Sequence, residues 1–378
     1  MDNLHEIIEK GVKMRASDIL LKVGNKPVAR VDGDLKVMED FDVLYQEDIR
    51  DIAQNIIYSA SREILLQFRD PANAPEYIKR LGDERIEALE RGKELDLVFT
   101  LMNLARIRAN LFMQRGSIAI AIRLIPLSIP TIEHLNLPSS LKELVSQKQG
   151  LIIVTGPTGS GKSTTIASLI EHINETREAH IITIEDPIEY VFEDKKAVIC
   201  QREVGKDTPS YESALRSVLR ESPDVIMIGE MRDAETMSVA MMAAEMGHLV
   251  LTTLHTISAP SVVDRIVHSF PPHQSNQIYG QLSKTLRGVI AQRLLKHALG
   301  VGRIPAVEIM TASPTVKKLI EEGRTGELYS TIKEGSHYGM ITLNQSLASL
   351  YLKGLVALEE AEAASPNKAE LRQLIKKQ

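Results

Sequence analysis

The stretch LIIVTGPTGSGKSTTIASLI, residues 151–170, decides how the chain is read. Leu151–Thr155 is a short apolar run closed by a glycine, which reads as a buried parallel strand. Gly156-Pro157-Thr158-Gly159-Ser160-Gly161-Lys162-Ser163 then fits G-x-x-x-x-G-K-[ST] at every fixed position. The glycines let the backbone fold tightly, so that successive N–H groups turn inward at anionic oxygens. Lys162 supplies a point charge for β- and γ-phosphates, and the Ser163 hydroxyl is a Mg²⁺ ligand. Apolar residues from Ile166 to Ile173 recur at helical spacing, which sets the phosphates at a positive helix N-terminus. The expected cradle is Gly156, Thr158, Gly159, Ser160, Gly161, Lys162, Ser163 and Thr164, and its expected ligands are ATP and Mg²⁺.

Outward from this loop, strands and helices alternate from about residue 140. The apolar runs LIIVT, IITIE, VIMIGE and LVLTTLH are separated in several places by helical stretches. This is the signature of an α/β domain with a largely parallel sheet. After residue 258 the chain reads as almost entirely helical. Upstream, residues 4–12 put Leu4, Ile7, Ile8 and Val12 on one helical face. Asp32-Gly33 between alternating segments signals a hairpin. Residues 46–67 and 75–92 read as helices around the breaker DPANAP, and residues 95–126 read as three strands. The expected fold class is α/β: an α+β domain over 1–115, a connector over 116–130 marked by Pro126 and Pro130, and the nucleotide domain over 131–378.

In an open α/β sheet the ligand sits outside the carboxyl ends of the strands. Three strands deliver polar groups there. One ends in Glu185-Asp186, and either acid can hold Mg²⁺ directly or through water. Another ends in Glu230, the candidate to orient or deprotonate an attacking water. A third ends in His255, with His248 just before its start; His255 can sense the γ-phosphate or serve structure alone. Arg106 and Arg108 lie two apart on a predicted strand and so share a face, with Arg115 and Arg123 nearby. They are solvated strand residues or arginine fingers that act in trans.

Bulk properties narrow the classes. The 378 residues carry a net charge of −5, with 43 % hydrophobic and 25 % charged residues, as in ordinary globular proteins. That acidic balance disfavours a nucleic-acid translocase. No apolar run is long enough to span a membrane, and the acidic N-terminal segment predicts no export signal. The single cysteine, Cys200, excludes an internal disulfide and a four-cysteine zinc site; its apolar context AVIC predicts burial.

Taken together these blocks resemble the secretion-superfamily hexameric ATPases, and within them the PilT-type retraction motors of type IV pili (the PilT/PilU group). The carrying segments are ASDILL, VDGDL, GPTGSGKSTT, ITIEDPIEYVF, QREVGKDTPSYESALRSVLRESPDVIMIGEMRD, GHLVLTTLHT and GMITLNQSL. The resemblance implies a PAS-like N-terminal domain and a RecA-like P-loop ATPase domain with a helical C-terminal part. It assigns Glu185 to the Asp box, Glu230 to the catalytic Walker B glutamate, and His248 and His255 to the His box. Arg106 and Arg108 match the segment that supplies arginines to nucleotide, and Arg123 matches the linker arginine. It further implies a cytoplasmic homo-hexamer at the inner membrane, acting on a platform protein at the pilus base, with or without a related retraction ATPase. Three features depart from the family: Leu20 replaces its usual histidine, residues 65–92 read as an insertion, and TVKKLIEEGRTGEL aligns only loosely with its AIRAGS motif. Extension and type II secretion ATPases are the nearest rivals, generally longer and carrying a four-cysteine insertion. An ATP-regulated scaffold without turnover is a third class.

Overall fold

The computed structural model describes residues 2–65, 74–101, 104–125, 127–300 and 302–377. Two compact units divide the chain, residues 1–128 and 129–378. No helix among the described residues is long and apolar enough to cross a membrane.

The first unit is an antiparallel sheet with helices against one face. Its elements are α1 (Asp2–Lys13), β1 (Asp18–Lys22), β2 (Val28–Val31), β3 (Asp34–Val37), α2 (Gln46–Leu65), α3 (Ala74–Glu90), β4 (Leu95–Leu101), β5 (Ala105–Gln114) and β6 (Ser117–Ile125). The strand order is β3-β2-β1-β6-β5-β4. Asp32 and Gly33 both take positive φ, 53° and 98°, the two-residue turn that their sequence predicts. Alternation along β5 buries Ala105, Ile107, Ala109 and Leu111 and turns Arg106, Arg108 and Asn110 to the other face. Ile107, Ala109 and Leu111 pack with Ile7 and Ile8 of α1 and Ile49, Ile52 and Ile56 of α2. α3 lies on α2: Gly82 accommodates the Tyr58 ring, and the Tyr58 hydroxyl donates to Asp83 at 2.8 Å. The breaker expected at 70–75 falls mostly outside the described residues. The connector expected over 116–130 is corrected: residues 117–125 form β6, paired with both β1 and β5. Its alternating apolar residues Ile120, Ile122 and Leu124 belong to the core of the first unit.

The second unit contains α4 (Ser140–Val145), β7 (Gly150–Thr155), α5 (Lys162–Thr176), β8 (His180–Glu185), β9 (Val198–Glu203), α6 (Tyr211–Val218), β10 (Val225–Ile228), α7 (Ala234–Glu245) and β11 (Leu249–Leu254). It continues with α8 (Ala259–His268), α9 (Ser275–Thr285), β12 (Leu286–Lys296), β13 (Arg303–Thr311), α10 (Pro314–Glu321), α11 (Leu328–Glu334), α12 (Leu343–Leu352), α13 (Leu358–Ala364) and α14 (Lys368–Lys377). The seven-stranded sheet has the order β13-β12-β7-β11-β10-β8-β9 and is parallel except for β13. β7 is apolar from Leu151 to Val154 because both of its faces are covered: Leu151 and Ile153 enter one core, Ile152 and Val154 the other.

Two expectations fail here. The segment after residue 258 is not wholly helical, since β12 and β13 form an antiparallel pair and β12 also joins β7. β12 is buried on both faces, so Leu286, Val289, Ile290, Leu294 and Leu295 show helical intervals with no alternation. Cys200 is exposed, not buried. β9 is the outer strand of the sheet, and there apolar neighbours in sequence do not imply a covered face.

The C-terminal helices α12–α14 close on a small core that they share with Leu295 of β12 and Ile304 and Ala306 of β13. Glu370 of α14 accepts from the Tyr329 hydroxyl of α11 at 2.6 Å and from Asn344 of α12 at 2.8 Å.

Candidate nucleotide site

Four parallel strands end side by side. Register pairs Thr155 of β7 with Leu254 of β11, and Ile228 of β10 with both Thr252 of β11 and Ile184 of β8. The chain leaves these strands into the glycine loop, His255, Gly229-Glu230 and Glu185-Asp186. The sheet topology therefore gathers the loop, Glu185, Glu230 and His255 on one edge.

The loop is shaped by close approach. Gly156, Gly159 and Gly161 have φ of 148°, 76° and 86°. A methyl group on Gly156 would stand 2.3 Å from the Gln292 carbonyl oxygen, and one on Gly161 2.9 Å from the Gln292 side-chain nitrogen. Gln292, 3 % exposed on β12, donates to the Ser160 carbonyl at 2.7 Å and accepts from the Thr165 hydroxyl at 2.7 Å. It pins the loop to the start of α5. Thr155 accepts from the Thr256 backbone N–H at 2.8 Å, tying the end of β7 to the turn after β11. Thr164 shares a hydrogen bond with the Tyr190 hydroxyl at 3.0 Å, and Thr158 is exposed at the loop tip.

Gln292 was not legible as a site residue from motif matching. Its signal is a lone amide inside an apolar strand, which must find partners to be buried at all. Removing it leaves a buried carbonyl and a buried hydroxyl unsatisfied, which costs about 2 kcal/mol. Gln292→Leu is expected to lower stability by that amount in chemical denaturation and to weaken nucleotide binding. Unchanged values in both would show that the clamp is dispensable.

Lys162 is 8 % exposed, and its Nζ donates to the carbonyls of Gly156 at 2.9 Å and Pro157 at 3.1 Å. Burial pulls its pKa down, while the charges of Glu230 and Glu189 oppose that shift. His255 links it to the acid: Nδ1 lies 3.4 Å from Lys162 Nζ and Nε2 lies 3.1 Å from Glu230 Oε1. With Lys162 as donor, Nδ1 accepts and Nε2–H donates to Glu230. The other oxygen of Glu230 accepts from Arg232 Nε at 2.9 Å. The turn is held by Thr253, whose hydroxyl donates to the Gly229 carbonyl at 2.6 Å.

Glu185 is 6 % exposed, and burial raises its pKa. Its Oε1 accepts from Thr183 at 2.7 Å and from Gln201 at 3.0 Å, and Oε2 from the Glu189 N–H at 3.4 Å. Asp186 beside it is exposed.

The residues fit a nucleotide. The Ser160 hydroxyl is buried in the loop with no hydrogen-bond partner, so an anionic oxygen there satisfies it. The described residues contain no cluster of three or more His, Cys, Asp or Glu able to hold a metal alone. Ser163 and Glu185 offer hard oxygens of the kind that would hold Mg²⁺ together with phosphates and water.

The other expected site residues are His248 and three arginines of the first unit. His248 lies at the amino end of β11, away from His255, and its Nδ1–H donates to the Pro223 carbonyl at 2.8 Å. Arg108 and Arg123 are direct cross-strand neighbours in the first unit, with Arg106 two residues along β5. Arg106 donates to Thr100 at 3.3 Å, Arg123 to Asp18 at 3.0 Å, and Arg108 lies 3.8 Å from Asp96. Arg108 and Arg123 line a concavity of about 460 Å³ on the open face of that sheet.

Residues 4–318 match the family described as type II/IV secretion system protein. A type IV pilus retraction ATPase, PilT, of Pseudomonas aeruginosa is 39 % identical over 359 residues, covering 95 % of this chain and 97 % of that protein. A twitching motility protein of Neisseria gonorrhoeae is 45 % identical over 287 residues, 76 % of this chain and 77 % of its own. The crystal structure of a pilus retraction motor, PilT, with bound ADP superposes with a TM-score of 0.81 at 44 % identity, covering 99 % of both chains.

Proposed function

We propose, for a chain that belongs to the type II/IV secretion system protein family, the role of an ATP-driven motor that withdraws type IV pili. It is an ATPase with the RecA-like P-loop fold of its family. The observation that carries the retraction reading is likeness along nearly the full length of both chains to a retraction ATPase. An extension or type II secretion role is not favoured.

The chemistry follows from the edge described above. The loop and Lys162 hold the β- and γ-phosphates; Ser163 and Glu185 would hold Mg²⁺, which when bound would supply charge neutralisation at those phosphates. Glu230, fixed by Arg232 on one oxygen and His255 on the other, orients the attacking water and accepts its proton. His255 touches both Lys162 and Glu230, so a change at the phosphates is felt at the base. Six copies form a ring at the cytoplasmic face of the inner membrane, where Arg106, Arg108 and Arg123 supply positive charge to a nucleotide across a subunit boundary. The ring turns a platform protein at the pilus base. His248 serves the strand end that it caps.

Deleting the gene in its host tests this role. Abundant surface pili with lost surface motility are the expected result. Bare cells would replace retraction by assembly or secretion.

A further inference from the structure

The blocks ITIEDPIEYVF and QREVG carry two polar side chains, Thr183 and Gln201, that the chemistry above does not use. Thr183 and Glu185 lie two apart on β8 and so share one face of the sheet. Gln201 of β9 is the register partner of Thr183 and stands on that same face. All three meet at one atom. Glu185 Oε1 accepts from the Thr183 hydroxyl at 2.7 Å and from Gln201 Nε2 at 3.0 Å. Two donors occupy the lone pairs of that oxygen. Oε2 has a longer contact, 3.4 Å, with the Glu189 N–H, and it keeps acceptor capacity for a ligand.

Gln201 also grips the chain that follows Glu185. Its amide nitrogen donates to the Tyr190 carbonyl at 2.8 Å, and its oxygen accepts from the Phe192 N–H at 2.9 Å. The gripped segment carries Tyr190, a buried residue whose hydroxyl shares a hydrogen bond with Thr164 at 3.0 Å. Thr164 follows Ser163 in the first turn of α5. Glu185 is thus joined, through Gln201 and Tyr190, to the residue beside Ser163. These are the two places that would hold the cation. Apolar residues suit this outer strand equally well, as Val198, Ile199 and Cys200 show. Strand formation alone does not account for an amide at 201.

We propose that Gln201 and Thr183 are positioning residues for the divalent cation that accompanies the nucleotide: they hold Glu185 by Oε1, so that Oε2 is the oxygen presented to the ion. The inference rests on the reading that Glu185 holds Mg²⁺. The hydrogen bonds of both side chains run to Glu185 and to residues 190–192, not to the phosphate loop. Their loss therefore weakens the cation and leaves metal-free nucleotide binding in place.

The test is Gln201→Met and Thr183→Val, each in the full chain. Mn²⁺ binding is read by electron paramagnetic resonance with saturating ADP, and affinity for a fluorescent ATP analogue is measured in EDTA. Each variant is expected to bind Mn²⁺ about tenfold more weakly than the parent, the usual cost of losing a partner that orients a metal ligand. Analogue affinity in EDTA is expected to stay within about twofold, because the loop and Lys162 are untouched. Valine keeps the branched shape of threonine, so Thr183→Val decides the matter if Gln201→Met does not fold. Mn²⁺ affinity like that of the parent in either folded variant would overturn the inference. A loss of analogue affinity in EDTA as large as the loss of Mn²⁺ would also overturn it, because the two residues would then hold the site as a whole. Glu185→Gln measured alongside separates the two levels. If it binds Mn²⁺ as the parent does, the reading of Glu185 as a cation ligand fails. If it is weakened while Gln201→Met and Thr183→Val are not, only the positioning role fails.

Discussion

Lys162→Ala is expected to lose ATP affinity by on the order of 100-fold, about 3 kcal/mol, in calorimetric titration. The ammonium is buried and held at the mouth of the loop by the Gly156 and Pro157 carbonyls. Burial that lowers its pKa also strips it of water, so an incoming phosphate meets a poorly hydrated cation. Alanine removes both the charge and the tie across the loop. The same variant severs the contact from His255 to the loop, so Glu230 loses its link to the phosphates. Affinity unchanged from the parent would mean that the loop is not the phosphate site.

Glu230→Gln is expected to separate binding from turnover. Its kcat falls by about a thousandfold, the usual scale for removing a positioned general base, while ATP affinity stays within a few-fold. The carboxylate accepts on both oxygens, from Arg232 and from His255. An amide can accept from only one of them and turns a donor toward the other. The variant therefore loses its negative charge and its fixed orientation together. Stability should change little, since the Gly229 turn is held separately by Thr253. Hydrolysis within tenfold of the parent would remove Glu230 from the reaction and favour a nucleotide-regulated scaffold.

The loop, Glu185, Glu230 and His255 were legible because each follows an apolar run that reads as a strand, and parallel strands place their carboxyl ends on one edge. His248 was not separable from His255 by sequence, since both lie in one block. The six residues of β11 place them at opposite ends of a strand, on the order of 20 Å apart. β12 was misread because a strand covered on both faces shows no alternation. With β12 hidden, the partner of the loop, Gln292, was hidden too. Cys200 shows the converse: an apolar neighbourhood in sequence becomes an exposed edge once β9 has no neighbour on one side. In the first unit, period-two alternation in β5 correctly put Arg106 and Arg108 on one face.

The most direct measurement of the motor itself is imaging of fluorescently labelled pili on living cells that lack the chromosomal gene. The cells would carry either the natural chain or Glu230→Gln. Fibres that extend and shorten with the natural chain, but extend and stay extended with Glu230→Gln, are the predicted result. Shortening that continues at the normal rate with Glu230→Gln would contradict the claim that hydrolysis in this chain drives retraction.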